Sequence, residues 1–146
     1  MVAVETERSQ ALIGFVKANG KQVKNLSANL TNNFASLVLS SLDGRAIAES
    51  AKLLLSAGSR VTNTNLKWNE ARTRTANQGE SPSLIEPVTG TLVLRDLKTA
   101  KSVAVSALDG SGRPTGDAVQ AKKTAAGWEF PLGATVTTWY YISVQR

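Results

Sequence analysis

The hydrophobic residues of this chain occur in short β-branched and aliphatic runs that Gly, Asp, Asn and Pro separate. Runs of this kind are typical of strands, and many short strands at such spacing indicate a sandwich or a barrel. The pattern therefore predicts an all-β chain, and we expect a β-sandwich of two antiparallel sheets, jelly-roll-like or immunoglobulin-like. The predicted strands are 11–16, 22–30, 34–42, 52–56, 60–63, 83–86, 89–96, 102–108, 118–122, 127–132 and 135–144.

Two segments fit the strand pattern less simply. Residues 47–57 are rich in Ala, Leu, Glu and Lys, but their three consecutive leucines fit a buried strand as well as a buried helical turn. We interpret them as a strand with a short lead-in. Residues 72–87 form the longest polar stretch and are predicted to be a surface loop, and long loops in compact domains are often functional.

Turn signals separate the runs, among them Asn19-Gly20 and two similar Asp-Gly pairs at Asp43 and Asp109. Each Asp-Gly pair follows a run that ends in Leu, and we interpret both as hairpin turns, because Asp and Gly tolerate a positive φ. The stretch from Asp109 to Gly112 also offers oxygen ligands to calcium, although it lacks the spacing of an EF-hand loop. A structural calcium at this turn therefore stays open.

The last predicted strand contains three adjacent aromatic residues, Trp139, Tyr140 and Tyr141. Successive side chains of a strand point to opposite faces. Alternation places Tyr140 on the core face and leaves Trp139 and Tyr141 on the other face, about 6 to 7 Å apart along the strand. The residues that alternation places beside Tyr140 on the core face are Val136, Thr138, Ile142 and Val144.

An outward aromatic pair needs a partner or a cover, because exposed apolar patches are otherwise costly. The apolar face of a β-linked sugar ring stacks well on an indole or a phenol, while its hydroxyls bond to polar neighbours. A loop, a second sheet or a crossing strand would cover the pair equally well. Alternation alone leaves both interpretations open.

The other two tryptophans carry the same question. Trp128 shares its alternation with Phe130 and Leu132, which favours the core, but it follows a turn and lies near a strand end, where a rim position is open. Trp68 stands at the entrance to the long polar segment, among Asn and Glu residues. It is either a stacking residue or an anchor that packs the segment against the sandwich.

Composition removes several classes of function. The chain has 146 residues, which fits one domain with a single core. It has no cysteine and no histidine, which excludes disulfides, thiolate metal sites, cysteine nucleophiles and every Ser-His arrangement. The 11 acidic residues offer many carboxylate pairs but no specific one, so we predict that the chain is not an enzyme.

The chain is basic, with a net charge of +6 and a pI near 9.9. A basic balance invites a nucleic-acid interpretation, but the charges are scattered: the longest basic run is Lys122-Lys123, and Arg72 and Arg74 form the only other tight pair. We therefore expect no nucleic-acid partner. No apolar stretch approaches the ~20 residues that span a bilayer, so we expect no membrane partner either.

Six stretches carry a family resemblance: FASLVLSSLDGRAIAES at 34–50, LLL at 53–55, TNT at 62–64, WNE at 68–70, IEPVTGT at 85–91 and WY at 139–140. Together they resemble the C-terminal β-sandwich modules appended to bacterial glycoside hydrolases, over most of the chain from about Thr6 onward. Members of that family often carry a further Trp-Gly in the polar segment, where this chain has Asn77-Gln78-Gly79. Contacts from that segment would then be polar in this chain.

The resemblance implies a non-catalytic carbohydrate-binding module for β-1,4-linked plant glucans: cellulose, cello-oligosaccharides, mixed-linkage β-glucan and xyloglucan. Residues 1–146 would be one monomeric module, excised from a larger secreted bacterial enzyme and linked covalently to its catalytic domain, without a cofactor. The alternative is a structural sandwich that packs against the catalytic domain and binds no sugar. The residues expected to contact sugar are Trp139, Tyr141 and Trp68 by stacking, Trp128 at the rim, and Asn69, Glu70, Arg72 and Gln78 through hydroxyl contacts.

Overall fold

A computed structural model of the chain describes residues 1–16 and 22–146, so the Asn19-Gly20 turn signal lies outside the described residues. No helix in this part of the chain is long and apolar enough to cross a bilayer. The strands are β1 (Val2–Glu5), β2 (Ser9–Gly14), β3 (Leu26–Leu30), β4 (Ala35–Ser41), β5 (Lys52–Gly58), β6 (Val61–Thr64), β7 (Lys67–Trp68), β8 (Thr75–Asn77), β9 (Glu80–Ile85), β10 (Gly90–Leu94), β11 (Ser102–Leu108), β12 (Val119–Gln120), β13 (Lys122–Thr124), β14 (Gly127–Leu132) and β15 (Trp139–Gln145).

Two antiparallel sheets enclose the core. The large sheet has seven strands in the order β1-β2-β4-β5-β15-β11-β12, and the small sheet has four in the order β13-β14-β10-β3. One hydrophobic cluster draws on both sheets, with Leu12 and Leu55 from the large sheet and Leu92 and Phe130 from the small one. The prediction of an all-β sandwich is confirmed.

Alternation along the central strands explains why the sheets face each other. In β4 the buried residues are Ala35, Leu37 and Leu39, and the residues between them are only partly buried. β5 repeats this pattern with Leu53 and Leu55. Because strand side chains alternate with a period of two, such a sequence buries one face of the sheet and leaves the other face outward.

The prediction of a surface loop at 72–87 is wrong in one respect, because two strands, β8 and β9, lie within this segment. The segment is at the surface, but β9 pairs with β6 and β8 pairs with β7. The chain between Ser59 and Pro87 thus forms a two-stranded excursion from the sandwich, which we call the arm. The predicted strands 60–63 and 83–86 correspond to β6 and β9 of the arm. Strands β7 and β8 were missed because they have only two and three residues and a bulge interrupts their pairing.

The prediction that Val136 belongs to the core is also wrong, since it is 65% exposed. Strand β15 begins only at Trp139, so alternation does not extend back to Val136. Thr137 is buried instead: its hydroxyl donates to the Leu108 carbonyl, and the Trp139 amide donates to the same hydroxyl at 3.1 Å. From Trp139 onward alternation holds, with Tyr140, Ile142 and Val144 buried.

The predictions for the segment before β5 and for the two Asp-Gly turns agree with the structure. A single turn, in which the Ser50 amide donates to the Ala46 carbonyl, precedes the strand that starts at Lys52. Asp43 accepts hydrogen bonds from the amides of Arg45 and Ala51 in the connection between β4 and β5. Asp109 has the same role after β11, which pairs with β12 as a hairpin.

Replacing Asp109 with asparagine is expected to destabilise the fold at pH 7, by an amount that becomes smaller as the pH falls below about 4. Hydrogen bonds from the Arg113 amide, and then from Ser111, hold the pKa of the Asp109 carboxyl below its usual value. The charged form therefore stabilises the fold above the unfolded pKa of about 4, and this contribution is lost as the pH falls through the folded pKa. Thermal unfolding at several pH values measures the difference.

The matched control for this experiment is Asp117→Asn, which changes an exposed Asp without these bonds. A difference between Asp109→Asn and the native chain that stays constant from pH 7 to pH 2 contradicts the electrostatic explanation.

Candidate functional site

The aromatic pair lies on the outward face of the large sheet. Trp139 is 39% exposed and Tyr141 is half-buried, whereas Tyr140 between them is buried. Burial raises the pKa of the Tyr140 hydroxyl, and a hydrogen bond with the Gly133 backbone partly opposes this shift. The structure therefore sorts the three rings as alternation predicts, with one ring in the core and two rings outside.

The outward face around the pair is almost free of charge. Eighteen residues of the five central strands lie on this face. β2 and β4 contribute three each, and β5, β11 and β15 contribute four each. Only one of the eighteen, Lys52, is charged, although charged residues make up 19% of the chain. The outward face of an antiparallel sheet is usually polar and solvated, and this face differs from that pattern in its lack of charge rather than in a lack of polar groups.

The cross-strand register defines the immediate neighbours of the aromatic pair. Trp139 lies between Ser56 and Leu108, and Tyr141 lies between Leu54 and Ser106. Each ring thus has one aliphatic and one hydroxyl neighbour across the strands. Trp139 and Tyr141 line neither the groove between Glu5 and Lys98 nor the small cavity beside Tyr140, and both rings lie on the outward face of the sheet.

Serine hydroxyls are the polar groups of this face, and the sequence analysis did not select them. The Ser9 and Ser40 hydroxyls lie 3.3 Å apart, and the Ser102 hydroxyl donates to the Gln145 side chain at 2.9 Å. The signal that identifies them is serine at positions that alternate with the buried apolar residues of the same strand. The outward serines are Ser9, Ser36, Ser40, Ser56, Ser102, Ser106 and Ser143.

The arm begins next to the aromatic pair. β5 ends at Gly58, where the arm starts, and Trp139 pairs with Ser56 two residues earlier. At the base of the arm, the Ser59 hydroxyl donates to Glu86 at 2.8 Å, and Arg60 forms an ion pair with the same carboxylate at 3.5 Å. The Ser59 hydrogen bond, together with the Arg60 charge, lowers the pKa of Glu86.

Side-chain hydrogen bonds to the backbone, rather than a hydrophobic core, hold the arm in shape. Asn63 donates to the Gln78 carbonyl at 3.1 Å, and the Thr64 hydroxyl donates to the Pro82 carbonyl at 2.8 Å. All six residues of β9 are exposed, among them Leu84 and Ile85. The arm therefore has a hydrogen-bonded form while it exposes apolar groups.

The hairpin of β7 and β8, residues 67–77, is the arm tip, and it contains Trp68 with a 53% exposed side chain. Exposure shows that Trp68 is not packed as an anchor against the sandwich. Asn69, predicted to contact sugar hydroxyls, uses its carboxamide within the tip, where its Oδ1 accepts the Thr73 and Arg74 amides at 2.9 and 3.2 Å.

The other polar residues predicted for the site are all on the arm. Glu70, Arg72 and Gln78 are exposed. Arg72 has a φ of 53° within the tight turn of the tip. The structure thus divides the predicted residues into two groups, with Trp139 and Tyr141 on the sheet face and the others, apart from Trp128, on the arm that starts beside it.

Trp128 does not belong to either group. It is only 8% exposed and belongs to the core cluster with Phe130. The ammonium group of Lys123 lies 5.5 Å from the centroid of its ring. Burial leaves no open ring face for a sugar, so the structure corrects the rim position that we considered for Trp128 and supports its core assignment.

A groove with a volume of about 740 Å³ lies at the opposite pole of the sandwich. Its lining comes from residues before β5 and after β10, whereas the arm joins the end of β5 to the start of β10. Its charges are mixed, and the Lys98 ammonium group bonds to Glu49 at 2.7 Å. No predicted site residue lines it, and within the described residues no three acidic side chains are placed to hold a metal ion.

Comparisons with known proteins add no neighbour to this description. No protein-family model matches the chain, and searches of curated proteins and of solved structures give no match.

Proposed function

We propose that this chain is a non-catalytic carbohydrate-binding module for β-1,4-linked glucans, which bind to the outward face of the large sheet. The observation that carries the proposal is the nearly uncharged composition of that face around Trp139 and Tyr141. When a neutral polymer covers a protein surface, any Lys or Glu residue there loses its water of hydration and gains no opposite charge in return. An uncharged face avoids this cost. The family resemblance of the sequence supports the same class of ligand.

Each part of the face has a role in this proposal. The rings of Trp139 and Tyr141 stack on the apolar faces of sugar units, and Ser56 and Ser106 beside them bond to hydroxyl groups. Linked covalently to a catalytic domain in a secreted enzyme, the module would raise the local concentration of substrate for that domain. The chain itself would perform no chemistry.

Native affinity electrophoresis in gels that contain mixed-linkage β-glucan tests the proposal. We expect the chain to be retarded, and we expect Trp139→Ala to weaken binding by about 5- to 150-fold, which corresponds to about 1–3 kcal/mol for a lost stacking contact. Calorimetry with cellohexaose then gives the affinities of the native chain and of Tyr141→Ala.

The matched control is Val119→Ala, which removes an exposed apolar side chain at the edge of the sheet, away from the aromatic pair. Unretarded migration of the native chain, together with no pull-down on insoluble cellulose, contradicts the proposal. Equal loss of binding in Val119→Ala and Trp139→Ala contradicts the assignment of the site.

A second candidate is docking of a neighbouring protein domain on the same face. The outward row of Trp139 continues through Ser56, Val38 and the buried Ala11 to the exposed Val4 at the edge, which is further than two stacked sugars need. This candidate is favoured if the chain ignores glucan and self-associates in sedimentation velocity through a contact that Val38→Glu abolishes.

A further inference from the structure

We propose that the arm tip is a second glycan site, which takes the carboxylate groups of acidic polysaccharides such as β-1,4-linked glucuronan. The choice of a sugar ligand rests on the proposed function, because the tip belongs to an arm that begins beside Trp139. The charge of the ligand follows from the tip itself. The sheet face would then hold neutral chains and the tip would add a preference for oxidised ones.

The tip concentrates positive charge next to an exposed indole. Lys67, Arg72 and Arg74 lie within the eleven residues of the hairpin, whereas Glu70 is its single acidic residue, so the tip carries a net charge of +2. Trp68 lies within the same hairpin and is half exposed. The hairpin is thus a short segment that combines a net positive charge with an exposed indole.

These cations have no acidic partner in the structure. The ion pairs found among the described residues are Arg60 with Glu86 and Lys98 with Glu49, and neither pair involves the tip. Lys67, Arg72 and Arg74 are exposed. Their charged groups are thus available to an external anion.

The backbone of the tip is fixed before any ligand binds. The Asn69 amide donates to the Arg74 carbonyl at 3.0 Å, the Arg72 amide donates to the Asn69 carbonyl at 2.9 Å, and the Asn69 side chain closes the turn. Arg72 therefore leaves the turn from a defined backbone position. A preformed turn reduces the ordering cost of binding.

A carboxylate attached to a sugar ring matches this combination of groups. A guanidinium group binds a carboxylate through two parallel hydrogen bonds, and an indole stacks on the ring that carries the carboxylate. Duplex nucleic acid presents one charge per ~1.7 Å and requires a continuous basic track. Here Glu70 interrupts three cations, which fits widely spaced carboxylates better than a phosphate backbone.

Calorimetry with a matched pair of ligands tests the inference: cellohexaose, and the same β-1,4-linked hexamer oxidised at C6 to glucuronate. We expect the native chain to bind the oxidised hexamer about tenfold more tightly at low salt, because charge-assisted hydrogen bonds are added. The preference should disappear in 0.5 M salt, where the Debye length is a few ångströms.

Substitutions separate the two sites. Arg72→Gln with Arg74→Gln should remove the preference and leave the affinity for cellohexaose, which the sheet face holds, unchanged. Trp68→Ala should weaken the binding of the oxidised hexamer, because its ring loses the stacking contact. Trp139→Ala should weaken the binding of cellohexaose and keep a preference for the oxidised hexamer. The control Arg113→Gln removes an exposed arginine outside the arm and should change neither affinity.

Several outcomes overturn the inference. Equal affinity of the native chain for both hexamers does so, as does a preference that survives the double arginine substitution in a protein with native melting behaviour. Single-stranded DNA or polyglutamate that binds the tip as tightly as the oxidised hexamer also overturns it. If only the oxidised hexamer binds, the inference stands and the proposal for the sheet face fails.

Discussion

Replacing Tyr140 with alanine is expected to lower the free energy of unfolding by about 3–5 kcal/mol, whereas replacing its neighbour Trp139 lowers it by about 1 kcal/mol or less. Tyr140 is 5% exposed and packs in the core cluster with Ile142, so its loss leaves a cavity between the sheets. Trp139 contributes only part of its surface to packing on the outward face. Urea denaturation monitored by circular dichroism measures both changes.

Tyr140→Phe serves as the control for this pair, because it keeps the ring and removes only the hydroxyl that bonds to the Gly133 backbone. We expect it to cost about 1 kcal/mol. Equal destabilisation by Tyr140→Ala and Trp139→Ala would show that the outward face is covered in solution by another part of the chain. Such a result would also remove the basis for sugar binding at Trp139.

Replacing Gly90 with alanine is expected to destabilise the protein by about 3 kcal/mol or more, through backbone strain added to displacement of the sheet. Gly90 has a φ of 135°, and a Cβ there would lie 2.4 Å from the Asn29 carbonyl oxygen and 2.7 Å from the Leu30 Cα. The small sheet is paired on both sides of this residue, with Leu30 and with Leu132. One of its strands must therefore move to accept the methyl group.

Gly110→Ala is the matched control, since a Cβ at Gly110 meets nothing within 4 Å. We expect its unfolding midpoint in urea to stay within experimental error of the native value. If Gly90→Ala unfolds at the same urea concentration as Gly110→Ala, with an unchanged slope, the close approach of β10 and β3 at this point is not rigid.

Much of the fold was predictable because strand signals are local. The limits of β11 at Ser102–Leu108 and of β14 at Gly127–Leu132 match the predicted strands, and both combine β-branched or aromatic residues with clear turns. The predicted strand 22–30 begins only at Leu26 in the structure. The four-residue strand β1 was not predicted. Strands β7, β8 and β13 were not predicted either, because two or three residues give no measurable alternation.

The candidate site was predictable only in part. Alternation identified Trp139 and Tyr141 as outward, because this depends on one strand alone. The polar partners that the sequence suggested, Asn69 and Arg72 among them, lie on the arm, whereas Ser56 and Ser106 stand beside the rings. Asn69 and Arg72 were suggested because they are close to Trp68 in the sequence. The order of the strands in the sheet instead places Ser56 and Ser106 beside Trp139 and Tyr141.

The sequence by itself thus determined the fold class, the alternation that forms most of the core, and the side of the last strand on which each aromatic ring lies. These properties follow from the two-residue period of a strand and from the preference of turns for Asp and Gly, which act over a few residues. The tertiary structure decided that β15 lies between β5 and β11, which gathers the outward residues of distant strands into one uncharged face. It also decided that the arm starts beside that face, because strand order depends on packing between residues far apart in the chain.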